Sequence, residues 1–340
     1  MLLHPQYHKI RHRSEPRSEP ENIRAVFRIA ETIAARCPSP WPFPQRGRPP
    51  KFSPRRHAAI CVTVVSLNLS YRQFEGASPL VLGKTIDHST IGWAFKRLAP
   101  SYVRLLLRFL ARRIEPLLQP EFFVMDSTGI STNFYSRKRR VLRWGRKKVF
   151  LKLHALVGCS LQKGALFVRE ASVTGEGCHD LTQVAYLLEA AEGGGRPLLA
   201  DSAYDYTLAY RLARERGFRP VIKPRETEGP RGFERREMVG SFDQELYRLR
   251  KVAEGFFGAI ATRYLSRIRY RLLHVQECSI LLMAVGQNLR VLLRLMPSKT
   301  WRVSSHFSKS SSSWNRAGGK VWAPADLFDK PRLAERLISQ

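Results

Sequence analysis

The spacing of hydrophobic positions changes along the chain, and the change divides it. From Pro54 to Leu98 the spacing is helical: Ala58, Ile60, Cys61, Val64, Val65, Leu67 and Leu69 mark a first helix. Ser70 and Gln73 predict a capping box at the start of a second, each side chain satisfying the other's free backbone N–H. Gly83 breaks the chain, and Asp87 or Ser89 caps a third helix, TIGWAFKRL, with Lys96 and Arg97 on its polar side. Three short helices with a Gly-bearing break have the pattern of a helix-turn-helix, whose last helix enters a major groove, or of a plain packing subdomain. Ser101 to Leu118 reads as a linking helix with a basic face.

From Pro120 the apolar runs shorten to strand length. EFFVMDST is a short apolar strand ending in an acid, RRVLRWGRKKVFLKLHALVG a strand or hairpin, and ALFVREASVT a further strand. DLTQVAYLLEAAE reads as a helix, and PLLADSAYD as a second short apolar strand ending in an acid. YTLAYRLARERG is a helix with a Gly stop, FRPVIKPR a strand, and FDQELYRLRKVAEGFFGAI one long helix. Three strands, then helix, strand, helix, strand, helix is the order of an RNase H-like mixed sheet, an α/β fold flanked by helices. Before it would stand an all-α, helix-turn-helix-like domain. The most apolar stretch, Cys278 to Met296, is interrupted by Gln287, Asn288 and Arg290 and reads as a packed helix, too short and polar to span a bilayer.

Charge adds a partner. With 58 Lys and Arg against 28 Asp and Glu, the formal net charge is +30. Such a chain calls for a polyanion, and nucleic acid fits because neutralising phosphates releases condensed counterions. The basic residues are spread over the chain rather than gathered on one amphipathic helix, which argues against a membrane surface. The five cysteines, Cys37, Cys61, Cys159, Cys178 and Cys278, form no CxxC pair, so they read as reduced thiols of a cytoplasmic, nucleoid-associated protein with no zinc site. The expected organisation is a disordered, Pro-rich basic arm with a short helix from Glu21 to Arg36 (1–53), a helical DNA-binding domain (54–118), an RNase H-like catalytic domain (119–295) and a flexible Ser-rich basic tail (296–340). The GRPPK segment of the arm is either a linker or a strip lying along a DNA groove.

Candidate chemistry arises from misplaced charge. Asp126 succeeds Phe122–Met125, and Asp201 succeeds Leu198, Leu199 and Ala200. An unpaired carboxylate in such surroundings is costly unless a cation offsets it, and ligands gather at the carboxyl ends of strands in open sheets. Tyr247, Arg250 and Glu254, at i, i+3 and i+7, share a face if their helix is continuous. The same spacing also suits a surface Arg–Glu pair at i, i+4. Arg143, Trp144, Arg146, Lys147 and Lys148, with Lys152, make a basic run that either tracks a DNA backbone, with Trp144 stacking on a base, or is a solvated hairpin. Asp205 reads as a helix cap or as a supporting acid behind the site, the His179–Asp180 pair as a helix cap, and His154 as a satisfied core residue.

Tyr247-x-x-Arg250-x-x-x-Glu254 resembles the Tyr-x2-Arg-x3-Glu-x6-Lys signature of bacterial insertion-sequence DDE transposases. MDSTGI, LKLHALV and ADSAYD look like that family's strands, and SYRQFEG…HSTIGWAFKRL like its N-terminal helices; the likeness spans roughly residues 45 to 290. The signature's Lys falls on Ala261, and Arg263 stands two residues on as its substitute. The resemblance implies that Asp126, Asp201 and Glu254 hold two Mg²⁺ or Mn²⁺ ions. It further implies hydrolysis of double-stranded DNA at the terminal inverted repeats, then strand transfer into target DNA by a homo-oligomer without a membrane. Arg250 would clamp a phosphate and Tyr247 stack on a base or the backbone. A catalytically inactive relative that only binds DNA, or another RNase H-like nuclease, would share the fold.

Overall fold

The computed structural model describes residues 19–42, 50–132, 141–142, 145–146, 150–225, 232–264, 267–268 and 270–295. The chain divides into two compact units, 1–297 and 298–340, and every described residue lies in the first.

The N-terminal helices form where local signals place them. α1 (Glu19–Arg36) starts two residues earlier than its pattern predicts and buries Val26, Phe27, Ala30 and Ala34, packing against α2 (Pro54–Ser66). Ser53 caps α2 through its side chain, and Pro54 occupies the first turn, where a missing N–H costs nothing. α3 (Tyr71–Leu82) opens with the expected capping box, Ser70 N to Gln73 Oε1 at 2.7 Å and Gln73 N to Ser70 Oγ at 3.2 Å. It ends at Gly83, whose φ of +65° is a left-handed stop that a side chain would strain. Of the two predicted caps for α4 (His88–Arg97), Asp87 serves: its Oδ1 accepts the Ser89 amide at 2.7 Å. Trp41, from the Pro-rich stretch, is buried edge-on against Trp93 of α4.

α5 (Pro100–Leu118) links this layer to the sheet, and its apolar face (Val103, Leu107, Leu110, Ile114) is fully buried. The sheet begins with β1 (Phe122–Thr132), a small hairpin of β2 (Val141–Leu142) and β3 (Gly145–Arg146), then β4 (Phe150–Ser160) and β5 (Ala165–Gly175). A 3₁₀ turn (Asp180–Gln183) and the short α6 (Val184–Leu188) lead to β6 (Pro197–Ala200). α7 (Thr207–Glu215), β7 (Arg219–Ile222), α8 (Phe233–Gly240) and α9 (Gln244–Arg248) come next. After a 3₁₀ segment, Leu249–Ala253, stand α10 (Glu254–Tyr264), β8 (Arg267–Ile268) and α11 (Leu273–Leu295).

The sheet order is β5-β4-β1-β6-β7, with β8 pairing the far end of β1. β4 pairs antiparallel with β1 and β5 antiparallel with β4, whereas β6 pairs parallel with β1 and β7 parallel with β6. This is the mixed sheet predicted from the element order, flanked by helices and preceded by a helical region.

Three local expectations change. β1 does not end at Asp126 but continues to Thr132, because β4 pairs with it through Ser131↔Phe150. The segment from Asp180 forms a 3₁₀ turn and one short helix rather than a single long helix. The helix expected through residues 242–260 is broken by the 3₁₀ segment.

α11 has 23 residues because it begins before Cys278, and by length and composition it is long and apolar enough to cross a membrane. Of its most apolar window, 78% is buried, against α2, α5 and β5. A Cβ on Gly286 would stand 2.9 Å from the Ser66 Cα, so glycine is what lets α11 approach α2. Asn288 brackets β5, accepting the Val168 amide at 2.7 Å and donating to its carbonyl at 2.8 Å.

Candidate active site

Asp126 and Asp201 come together by register. Met125 on β1 pairs with Ala200 on β6 in parallel, so the next residue on each strand is an aspartate at the same level. β6 ends there, and Asp201 begins a 3₁₀ turn (Ser202–Tyr204), its Oδ1 accepting the Ala203 amide at 3.0 Å. The Asp126 Oδ1 accepts the Ser127 amide at 2.9 Å. One guanidinium spans the pair: Arg250 Nη2 lies 2.9 Å from Asp126 Oδ2 and 3.6 Å from Asp201 Oδ2.

Two carboxylates here share one cation. Burial, with a smaller push from the Asp201 charge, raises the Asp126 carboxyl above its ordinary value, although Arg250 and the Ser127 amide oppose this. Arg250 is drawn the other way: burial would lower it, but the charge of Asp126, with Tyr247 and Asp201 behind it, raises it. The buried Arg250 Nε has no hydrogen-bond partner. Beneath the pair lies Tyr204, fully buried, its hydroxyl also without a partner. Burial and the nearby charges of Asp180, Asp126 and Asp201 push that phenol well above its ordinary value.

Glu254 is not brought to this pair. It is exposed at the first turn of α10, and the three carboxylates do not stand together within mutual reach for one metal ion. The 3₁₀ segment advances its residues by 120° each rather than the 100° of an α-helix, so Arg250 and Glu254 do not keep the shared face that a continuous helix would give. Tyr247 packs against Phe242, ring centroids 5.4 Å apart. Among the described residues, three acid or imidazole ligands stand within mutual reach only at Glu75, Asp87 and His88, where Asp87 caps α4 and His88 Nδ1 meets Glu75 Oε2 at 3.1 Å.

The remaining basic candidates lie apart from the aspartates. Lys96 and Arg97 are exposed in the last turn of α4, with Arg97 stacked 4.2 Å over Trp93. Arg263 donates to Gln287 Oε1 at 2.8 Å, facing α11; burial and the charges of Arg290 and Arg294 lower it. Ala261 is exposed on α10. Arg143, Trp144, Lys147 and Lys148 lie outside the described residues, as does the side chain of Arg146. Lys152 is turned inward, 2.7 Å from Asp180 Oδ1.

Other acids expected to be caps are not. Asp205 is buried and accepts from Tyr210 Oη at 2.7 Å, the Arg225 amide at 2.8 Å and Arg235 Nε at 2.8 Å, while α7 begins after Tyr206 with no side-chain cap. Asp180 accepts from Lys152 Nζ and from Ser127 Oγ at 3.1 Å, and His179 makes no cap hydrogen bond. Sequence reasoning also misses Glu170, whose side chain is fully buried on β5 between Arg104 Nε (3.3 Å) and Arg108 Nε of α5. These arginines form part of the basic face expected of α5.

An antiparallel trio joined to two parallel strands, with acids level on the two central ones, is the RNase H-like arrangement. Residues 118–289, just over half of the 340-residue chain, match the family described as the transposase DDE domain, and the chain belongs to that family. Among solved structures it is similar to a piggyBac transposase synaptic complex with hairpin DNA determined by cryo-electron microscopy, at 11% identity. That likeness covers 84% of this chain and 75% of that one with a TM-score of 0.41. No match is found among curated proteins.

Proposed function

We propose that this transposase-family chain hydrolyses phosphodiester bonds at the ends of a DNA element and transfers the freed strand into target DNA. The observation that carries the reading is the pair Asp126 and Asp201, level on adjacent parallel strands and sharing a single guanidinium.

The pair suits a divalent cation. Its donors are hard carboxylate oxygens, which Mg²⁺ and Mn²⁺ prefer, and two carboxylates share a single guanidinium there. Asp126 and Asp201 would hold two such ions with Glu254 as the third carboxylate. A divalent cation there supplies Lewis-acid stabilisation of charge at phosphorus and makes water a nucleophile at neutral pH.

The chain's own groups do the rest. The Ser127 and Ala203 amides orient the two aspartates. Arg250 would offer its fork to a phosphate oxygen of the DNA, with Tyr247 beside it. Were Leu249–Ala253 wound as α-helix, Arg250 and Glu254 would share one face, the arrangement in which Glu254 would join the set. Double-stranded DNA meets a chain of net charge +30, so binding weakens steeply with salt. We infer a homo-oligomer that pairs two DNA ends in the cytoplasm, a reducing compartment suited to five free cysteines.

The exposed position of Glu254 and the Ala261 substitution favour one second reading, an inactive relative that only binds DNA. A plasmid carrying the DNA that flanks the chain's own gene separates the two readings, incubated with Mg²⁺ or Mn²⁺. Cuts at defined flanking positions, absent with Asp126→Asn, support the transposase. Tight binding without cutting in either metal supports the inactive relative.

A further inference from the structure

One part-buried grouping beside Asp126, centred on Asp180, has no part in the chemistry above. Asp180 leaves β5 by a short loop and turns its carboxylate back to the sheet. Its Oδ1 accepts from Lys152 Nζ at 2.7 Å and from Ser127 Oγ at 3.1 Å, with His154 Nδ1 at 3.3 Å. Across β1 and β4, Ser127 is level with His154 and Gly129 with Lys152, so Ser127, Lys152 and His154 share one face of the sheet. His154 is fully buried and fixed at its other nitrogen, Nε2, 2.8 Å from Thr174 Oγ1. Lys152 also holds the loop, donating to the Cys178 carbonyl at 3.2 Å.

These contacts converge on one peptide. Ser127 gives its hydroxyl to Asp180 and its amide to Asp126 Oδ1, at 2.9 Å. Fixing the Ser127 side chain from below fixes the amide that aims the Asp126 carboxylate. A simple helix cap would need none of this, and Asp180 makes no capping bond that explains its place between a lysine and a histidine.

We propose that Asp180 is a positioning residue for Asp126, acting through Ser127, with Lys152 and His154 holding Asp180 in place. The inference rests on the reading of Asp126 as a cation-holding carboxylate. Groups that orient metal ligands from outside typically alter metal affinity or activity by about 10- to 100-fold. Asp180→Asn should therefore weaken Mn²⁺ binding by roughly that factor and lower kcat on DNA while leaving KM for DNA unchanged.

The test is calorimetric titration of the full chain with Mn²⁺ alone, for wild type, Asp180→Asn, Ser127→Ala, their double variant, Ser127→Thr and Asp126→Asn. If Asp180 acts through Ser127, the two single losses do not add, and the double variant binds like Asp180→Asn. Ser127→Thr, which keeps the hydroxyl, binds like wild type. Should Asp180→Asn not fold, Ser127→Ala against Ser127→Thr carries the same decision. Unchanged affinity in Asp180→Asn or Ser127→Ala, or losses that multiply in the double variant, overturns the inference. Wild-type binding by Asp126→Asn overturns the reading of Asp126 itself, and this inference with it.

Discussion

Two acidic places lie in one sheet and are neutralised in opposite ways. At the centre, Asp126 and Asp201 divide a single guanidinium between two carboxylates. On β5, the one carboxylate of Glu170 sits between two guanidinia and also accepts the Ala171 amide at 3.1 Å. The central pair keeps partial access to water, with Asp201 at 35% side-chain exposure, whereas Glu170 has none. Asp205, saturated by a phenol, an amide and a guanidinium, resembles Glu170. An acid in an apolar strand is therefore not in itself a functional sign. Glu170 and Asp205 are saturated by their partners and hold elements together, whereas at the central pair two carboxylates share one guanidinium, the place where we propose that a cation binds.

The largest expected effect comes from the incomplete pair. Asp126→Asn or Asp201→Asn should lower DNA cleavage by roughly three orders of magnitude, the several kcal/mol of charge stabilisation that metal chemistry supplies. Asp126→Asn should do so without lowering Tm, because it removes a charge whose burial the folded state resists. Cleavage rates and melting curves on the same preparation check both halves, and a collapse of Tm would make Asp126 a structural residue like Glu170.

Glu170→Gln should show the reverse. It leaves Arg104 and Arg108 without their buried partner, and breaking a buried ion pair costs about 3–5 kcal/mol. Urea denaturation should register that loss, while Mn²⁺ affinity stays at the wild-type value. Stability within about 0.5 kcal/mol of wild type, the range of ordinary surface changes, would erase the contrast.

Asp180 sharpens the comparison from between these extremes. Burial works against its charge, but hydrogen bonds from His154 and Lys152 outweigh it and hold the carboxyl well below the usual range. A folded value below the unfolded one means stability present above about pH 4, the unfolded aspartate value, and lost as pH falls further. The gap between wild type and Asp180→Asn, of order 1–3 kcal/mol, should hold from about pH 7 to 5 and close below about pH 4. Urea titrations across that range check the sign, and a gap that widens in acid contradicts it. The smallest effect lies far from both acidic places. Ser70→Ala removes half of a capping box and should cost about 1 kcal/mol by urea denaturation, with cleavage unchanged.

Local signals carried the N-terminal helices and the order of the sheet. The Ser70–Gln73 box, the Gly83 stop and the Asp87 cap are contacts within a few residues, so sequence spacing contains them. Asp201 was legible because β6 stops beside it. Asp126 was legible as an acid after four apolar residues, but the six residues of β1 beyond it depend on pairing with β4, which is not local. The same sign would have found Glu170 in ALFVREASVT, yet its two arginines come from α5. Asp180 looked like a cap because its partners stand 28 and 53 residues away. The break between Arg250 and Glu254 had no warning, since Leu249–Ala253 contains neither Gly nor Pro.

The central claim is that the Asp126–Asp201 pair, and not the saturated acids, accepts a divalent cation. Melting the wild type, Asp201→Asn and Glu170→Gln with and without Mn²⁺ tests it most directly. A cation at about 100 times its dissociation constant stabilises the folded state by about 2.7 kcal/mol. Mn²⁺ should raise Tm for wild type and, from a lower start, for Glu170→Gln, but not for Asp201→Asn. A rise that persists in Asp201→Asn, or one that vanishes in Glu170→Gln, would contradict it.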